Sequence, residues 1–132
     1  MTTTVVVLGA VCAHLAQGEL PAIASVYVAA SVPPPQVTVQ LACHDPRGIA
    51  QGLLAWANTL KGATAEVWRV PGGDSVHLSV TGLLVHAGAT IQVYASTPAT
   101  DCGLGADLAP DTTTTIPIPT LRSLAALGEV IL

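Results

Sequence analysis

Phenylalanine is absent from this 132-residue chain, aromatic residues make up 3% of it, and charged residues only 9%. An ordinary globular chain is about 25% charged. The shortage excludes a coiled coil, a polyelectrolyte tail and an intrinsically disordered chain, all of which need charge or low hydrophobicity. Positive charge is scarcest of all: four Lys and Arg stand against eight Asp and Glu, a net charge of −4. That balance excludes nucleic-acid binding driven by phosphate neutralisation, so no nucleic-acid partner is expected.

Paired cysteines are missing too. Cys12, Cys43 and Cys102 are far apart, with no Cys-x-x-Cys among them. An odd count at such spacing is no disulfide framework, and a reduced, cytoplasmic chain is expected. Residues 5–13 are apolar enough to resemble the core of a signal peptide, but no Lys or Arg occurs before Arg47 to supply a positive n-region. Gly9-Ala10-Val11 before Cys12 is a poor lipoprotein cleavage site. No formal charge lies between Glu19 and Asp45, or between Asp74 and Asp101. Both stretches alternate apolar with polar residues, and Pro33-Pro34-Pro35 interrupts the first. A membrane helix needs about 18–20 consecutive, predominantly apolar residues. They read as strands, and no membrane partner is expected.

Thr, Gly and Pro fill the place of the missing charge, and the pattern of apolar residues between them defines the elements. Residues 4–17 place Val5, Leu8, Val11, Cys12 and Leu15 at helical spacing, with Thr4 as a cap and Gly18 and Pro21 as stops. A strand running into the turn at Gly9 is the rival, but a dinucleotide fingerprint needs further glycines. Residues 22–30 and 36–43 alternate and form a hairpin around the three prolines, which cannot join a ladder.

The best helix signal follows. Asp45 is an N-cap, Pro46 suits the first helical position, and Ile49, Leu53, Trp56, Ala57 and Leu60 form one stripe. Lys61 falls in the expected last turn and Gly62 ends it. Gly48 and Gly52 leave a smooth patch suited to close packing. Strands at 64–70, 75–84 and 90–95 are separated by Pro71-Gly72-Gly73-Asp74 and His86-Ala87-Gly88-Ala89.

The expected fold is therefore α+β, in the order α-β-β-α-β-β-β. It is a two-layer sandwich, with a five-stranded, mainly antiparallel sheet and two helices on one face. Residues 1–95 form this single domain. Residues 96–119, rich in Thr, Pro and Gly, read as a linker or surface arm. Residues 120–132 read as a short apolar helix ending in Val130-Ile131-Leu132, which must dock on the domain or on a partner.

Catalytic signatures are lacking. Cys43-His44-Asp45 holds the parts of an activated nucleophile. Neighbouring strand side chains point to opposite faces, however, and Asp45 is already committed as a cap. His14, His44, His77 and His86 show no zinc-site spacing, and Asp101, Asp107 and Asp111 no calcium-loop spacing. No phosphate loop, Gly-x-Ser-x-Gly elbow or His-Glu-x-x-His helix occurs. No catalytic residue, metal ligand or cofactor is assigned.

A surface is more informative. Placing Val26, Val28, Val37, Val39, Leu41, Val76, Leu78, Val80, Ile91 and Val93 toward the helices fixes the opposite face by the period of two. That face carries Ser25, Tyr27, Thr38, Gln40, Glu66, Trp68, His77, Ser79, Thr81, Gln92 and Tyr94. It is either an ordinary solvated sheet face or an interface, since Tyr and Trp with few charges is interface composition. Sheet edges are usually protected by charge, Lys above all, and this chain has only Lys61.

The leading expectation is a non-enzymatic protein-interaction module, a homo-oligomer or accessory subunit. Its expected binding residues are Tyr27, Trp68, His77, Ser79, Thr81, Gln92 and Tyr94. The partner is a second copy or another protein. One alternative is a small-molecule-binding or cyclase-like pocket protein, in which residues 96–132 roof the face. Another is a phage- or plasmid-encoded accessory protein, since the Lys-poor, Ala/Val/Thr/Pro-rich texture suits a high-GC genome.

Overall fold

Strand-forming sequence dominates from Ile23 onward, and in a computed structural model it builds one six-stranded sheet flanked by helices. The structure describes residues 3–17, 20–29, 34–103 and 107–126. The strands are β1 (Ile23–Ala29), β2 (Gln36–Leu41), β3 (Lys61–Arg69), β4 (Ser75–Leu84), β5 (Ala89–Pro98) and β6 (Thr112–Ile116). The helices are α1 (Thr3–Gln17), α2 (Pro46–Ala57) and α3 (Ile118–Ala125). Pro33, Gly18 and the apolar end at 127–132 lie outside the described residues.

The fold is mixed α+β with the helices against one sheet face. Strand order is β1-β2-β5-β4-β3-β6. All neighbours are antiparallel except β2 and β5, which run parallel from Gln36 beside Thr90 to Gln40 beside Tyr94. The meander β3-β4-β5 doubles back after α2 and returns its last strand to the edge of the first hairpin. A parallel neighbour results, because the chain reaches β5 through a long crossover.

The sixth strand corrects the expected count of five. It arises within 96–119, the stretch expected to be an arm, where Thr112–Thr115 and Ile116 pair with Arg69 through Ala65. β-branched threonines suit a pleated edge strand, and a polar run reads as linker only when its pairing partner is unknown. β5 also extends to Pro98, beyond the expected end at 95.

Val37, Val39 and Leu41 of β2, Val67 of β3, Val76, Leu78 and Val80 of β4, and Ile91 and Val93 of β5 are all buried. They share one core with Ile49, Leu53 and Trp56 of α2, Val7 and Val11 of α1, and Leu121 and Leu124 of α3. Val26 and Val28 pack against it in part.

Asp45 caps α2, its Oδ2 accepting from the Gly48 N–H at 2.8 Å. The helix ends at Ala57, before the expected Lys61 and Gly62. The Thr59 hydroxyl donates to the Trp56 carbonyl at 2.7 Å, and this side-chain bond competes with a further helical turn. Lys61 and Gly62 open β3 instead. At Gly52 a Cβ would stand 2.9 Å from Leu41 Cδ1 and 3.1 Å from Pro21 Cγ, so the smooth patch is a packing contact.

In α1 the expected stripe is rotated. Val7 and Val11 are buried, whereas Val5, Leu8 and Cys12 are exposed. A segment apolar on every side has no periodicity to choose its buried face. Among the described residues no helix is long and apolar enough to cross a membrane.

Candidate functional site on the outer sheet face

With the helices on one side, alternation carries most polar residues of the strands to the other; Thr97, buried beside Val76, is an exception. Register then arranges them in rows across the sheet. One row runs Thr113, Trp68, His77, Ser96 from β6 to β5. The next spans all the strands as Thr115, Glu66, Ser79, Tyr94, Gln40, Ser25. A third runs Thr64, Thr81, Gln92, Thr38, Tyr27. Every residue read from the sequence onto this face lies in these rows, and Glu66 is their only charged member.

The expected binding residues are not one cluster. Trp68, His77, Ser79, Gln92 and Tyr94 come together with Glu66 and Thr113 around an open cavity of about 400 Å³. Thr81, again with Gln92, lies on a neighbouring depression of about 230 Å³, beside Thr38 and Thr90. Tyr27 stands apart on edge strand β1, 68% exposed.

Aromatic packing gives the cavity its shape. His77 stacks on Tyr94, with ring centroids 5.4 Å apart and planes 16° from parallel. Trp68 meets His77 edge to face at 5.0 Å and 89°. Both are favoured geometries for ring quadrupoles. The indole N–H of Trp68 donates to Asp111 Oδ1 at 3.1 Å. Asp111 itself is held in the left-handed region, φ 60°, where its N–H donates to the Arg69 carbonyl at 2.7 Å. Burial holds the His77 imidazole below its ordinary range, because desolvation disfavours the charged ring.

Thr113 and Asp111 escaped sequence reasoning, since both lie in the stretch read as an arm. The usable signals were the β-branched threonine run and an Asp after Pro110, a turn residue tolerant of positive φ.

The Cys43-His44-Asp45 triplet forms no relay. The Cys43 thiol donates to Asp45 Oδ1 at 3.2 Å, and burial, then this bond, raise its pKa. The Gly48 amide, then Cys43, lower that of Asp45. A raised thiol pKa opposes nucleophile activation. Among the described residues no group of three or more His, Cys, Asp or Glu could hold a metal ion.

Compared with protein-family models, curated proteins and solved structures, the chain matches none.

Proposed function

We propose that this chain acts by association, as a non-enzymatic protein-interaction module whose contact surface is the outer sheet face. It works as a homo-oligomer or as an accessory subunit in the cytoplasm, where its free cysteines Cys12, Cys43 and Cys102 stay reduced. The supporting observation is the set of polar and aromatic rows crossing the sheet with Glu66 as their sole charge. Desolvating such a face carries a small electrostatic penalty, and Tyr and Trp supply contact area. Light scattering after gel filtration tests the reading at tens of micromolar. A mass above that of one chain is expected. A clean monomer removes self-association and leaves the accessory-subunit version.

A second reading, a small-molecule pocket, is favoured by the cavity of about 400 Å³ between Trp68 and Tyr94, a size within the ligand-pocket range. Among the described residues, 96–132 lines the cavity only at its edge, through Thr113, and forms no roof: β6 extends the sheet, and α3 packs into the core on the other side.

A further inference from the structure

We propose that the outer-face cavity binds an organic cation, a substituted ammonium or guanidinium group, against the aromatic row of Trp68, His77 and Tyr94 and beside the Glu66 carboxylate. The proposal rests on the second reading above, that the cavity is a ligand site, and names the chemistry it selects.

The lining is one carboxylate, three ring systems and neutral oxygen-bearing side chains: Glu66, Trp68, His77, Tyr94, Ser79, Gln92 and Thr113. No Lys or Arg is among them. Arg69, next along β3, turns its guanidinium to the Gly73 and Leu108 carbonyls, at 2.8–2.9 Å. Among the described lining residues His77 alone could add positive charge, and burial holds its pKa below the ordinary range, which disfavours the charged ring. A cation entering this space meets the Glu66 carboxylate and no lysine or arginine.

The rings add a directional attraction. The face of an indole or phenol ring carries the negative end of its quadrupole, and a cation within about 6 Å of the ring centre is drawn to it. Trp68 is strengthened in this role by Asp111, because a carboxylate accepting the indole N–H at 3.1 Å pushes electron density into the ring. His77 acts as a spacer. Its contacts to Trp68 and Tyr94, at 5.0 and 5.4 Å, fix the two outer rings relative to each other before any ligand arrives. Such preorganisation lowers the ordering cost of binding. A cavity of about 400 Å³ admits a trimethylammonium group or a guanidinium with its alkyl stem. An anion would face Glu66, and a neutral ligand would gain no charge pairing from it.

The same cationic nitrogen could come from a free metabolite-sized amine or from a basic side chain of a partner protein, and the test separates these sources. The intact chain has two indole N–H groups, from Trp56 in the core and Trp68 at the cavity, so NMR gives a site probe and an internal control. Choline, an arginine-containing tripeptide and the neutral carbon isostere 3,3-dimethylbutan-1-ol are each titrated. Saturable movement of the Trp68 signal is expected with the cations, and the isostere should bind about tenfold more weakly. Glu66→Gln should weaken the cations by a similar factor and leave the isostere unchanged, with the Trp56 signal confirming an intact core. Preference for choline identifies a free amine, and preference for the tripeptide a partner's side chain; both support the proposal. Equal binding of the isostere overturns the cation assignment while keeping the cavity as a ligand site. Absence of saturable movement with every probe overturns both.

Discussion

His77 is wedged between an indole and a phenol ring on a sheet face, and that placement sets its titration. Its pKa falls below the ordinary 6.5 because burial disfavours the imidazolium. Between the folded and unfolded pKa values the unfolded chain binds the extra proton, so stability rises with pH through that interval. The contribution is complete above about pH 6.5 and is lost as the pH drops toward the folded value. His77→Gln should remove it. In thermal melts from pH 8 to pH 5, the wild-type chain should lose more of its Tm than the variant does. Equal losses would place the acid sensitivity elsewhere. At this scale the site was largely legible, since alternation alone assigns Trp68, His77, Ser79 and Tyr94 to one face. The Trp68–Asp111 bond was not, because it joins residues 43 positions apart through a pairing that only the folded sheet reveals.

Among the elements, legibility followed how one-sided each segment is. α2 has a cap, a Pro at its start and an apolar stripe, and Ile49, Leu53 and Trp56 are buried as the stripe requires. α1 is apolar on all sides, so its buried residues could not be chosen from spacing. β6 was hidden because four threonines carry no hydrophobic alternation; its strand character comes from β3. The start of β3 shows what local pattern conceals in another way. Pairing with β4 shifts between Lys61 and Thr64, and Gly62 there has φ 66°. Across this bulge, a Cβ at Gly82 would stand 2.8 Å from Leu60 Cβ, 3.3 Å from the Lys61 carbonyl oxygen and 3.4 Å from Ala63 Cα. The neighbours are backbone or backbone-attached atoms that cannot swing aside. Gly82→Ala should therefore cost about 1–3 kcal/mol, the usual penalty of overpacking. A lower urea midpoint with unchanged slope would show it.

For the molecule as a whole, the proposed self-association has two candidate routes that the missing charge leaves open. One is the outer face. The other is strand addition at the sheet edges, where β1 (Ile-Ala-Ser-Val-Tyr-Val-Ala) and β6 (Thr-Thr-Thr-Thr-Ile) contain no charge to discourage it. Physical considerations favour the face. Pairing along β6 would bury threonines and gain little apolar area, whereas the face offers Trp68, Tyr94 and Tyr27 across several strands. The routes separate by where a lysine is placed. Thr38→Lys with Thr81→Lys charges the face on either side of Gln92, at two positions that do not themselves line the larger cavity. In an assembly through this face the two lysines of each copy would have to be desolvated at the contact, so dissociation to monomers is expected by light scattering. Thr114→Lys charges the β6 edge alone, since Thr114 alternates with the face residues Thr113 and Thr115 and is exposed. If the face is the contact, it should leave the mass in light scattering that of the wild-type chain. The reverse pattern, dissociation by the edge lysine alone, would move the contact to strand addition and leave the outer face free for a ligand or a different protein.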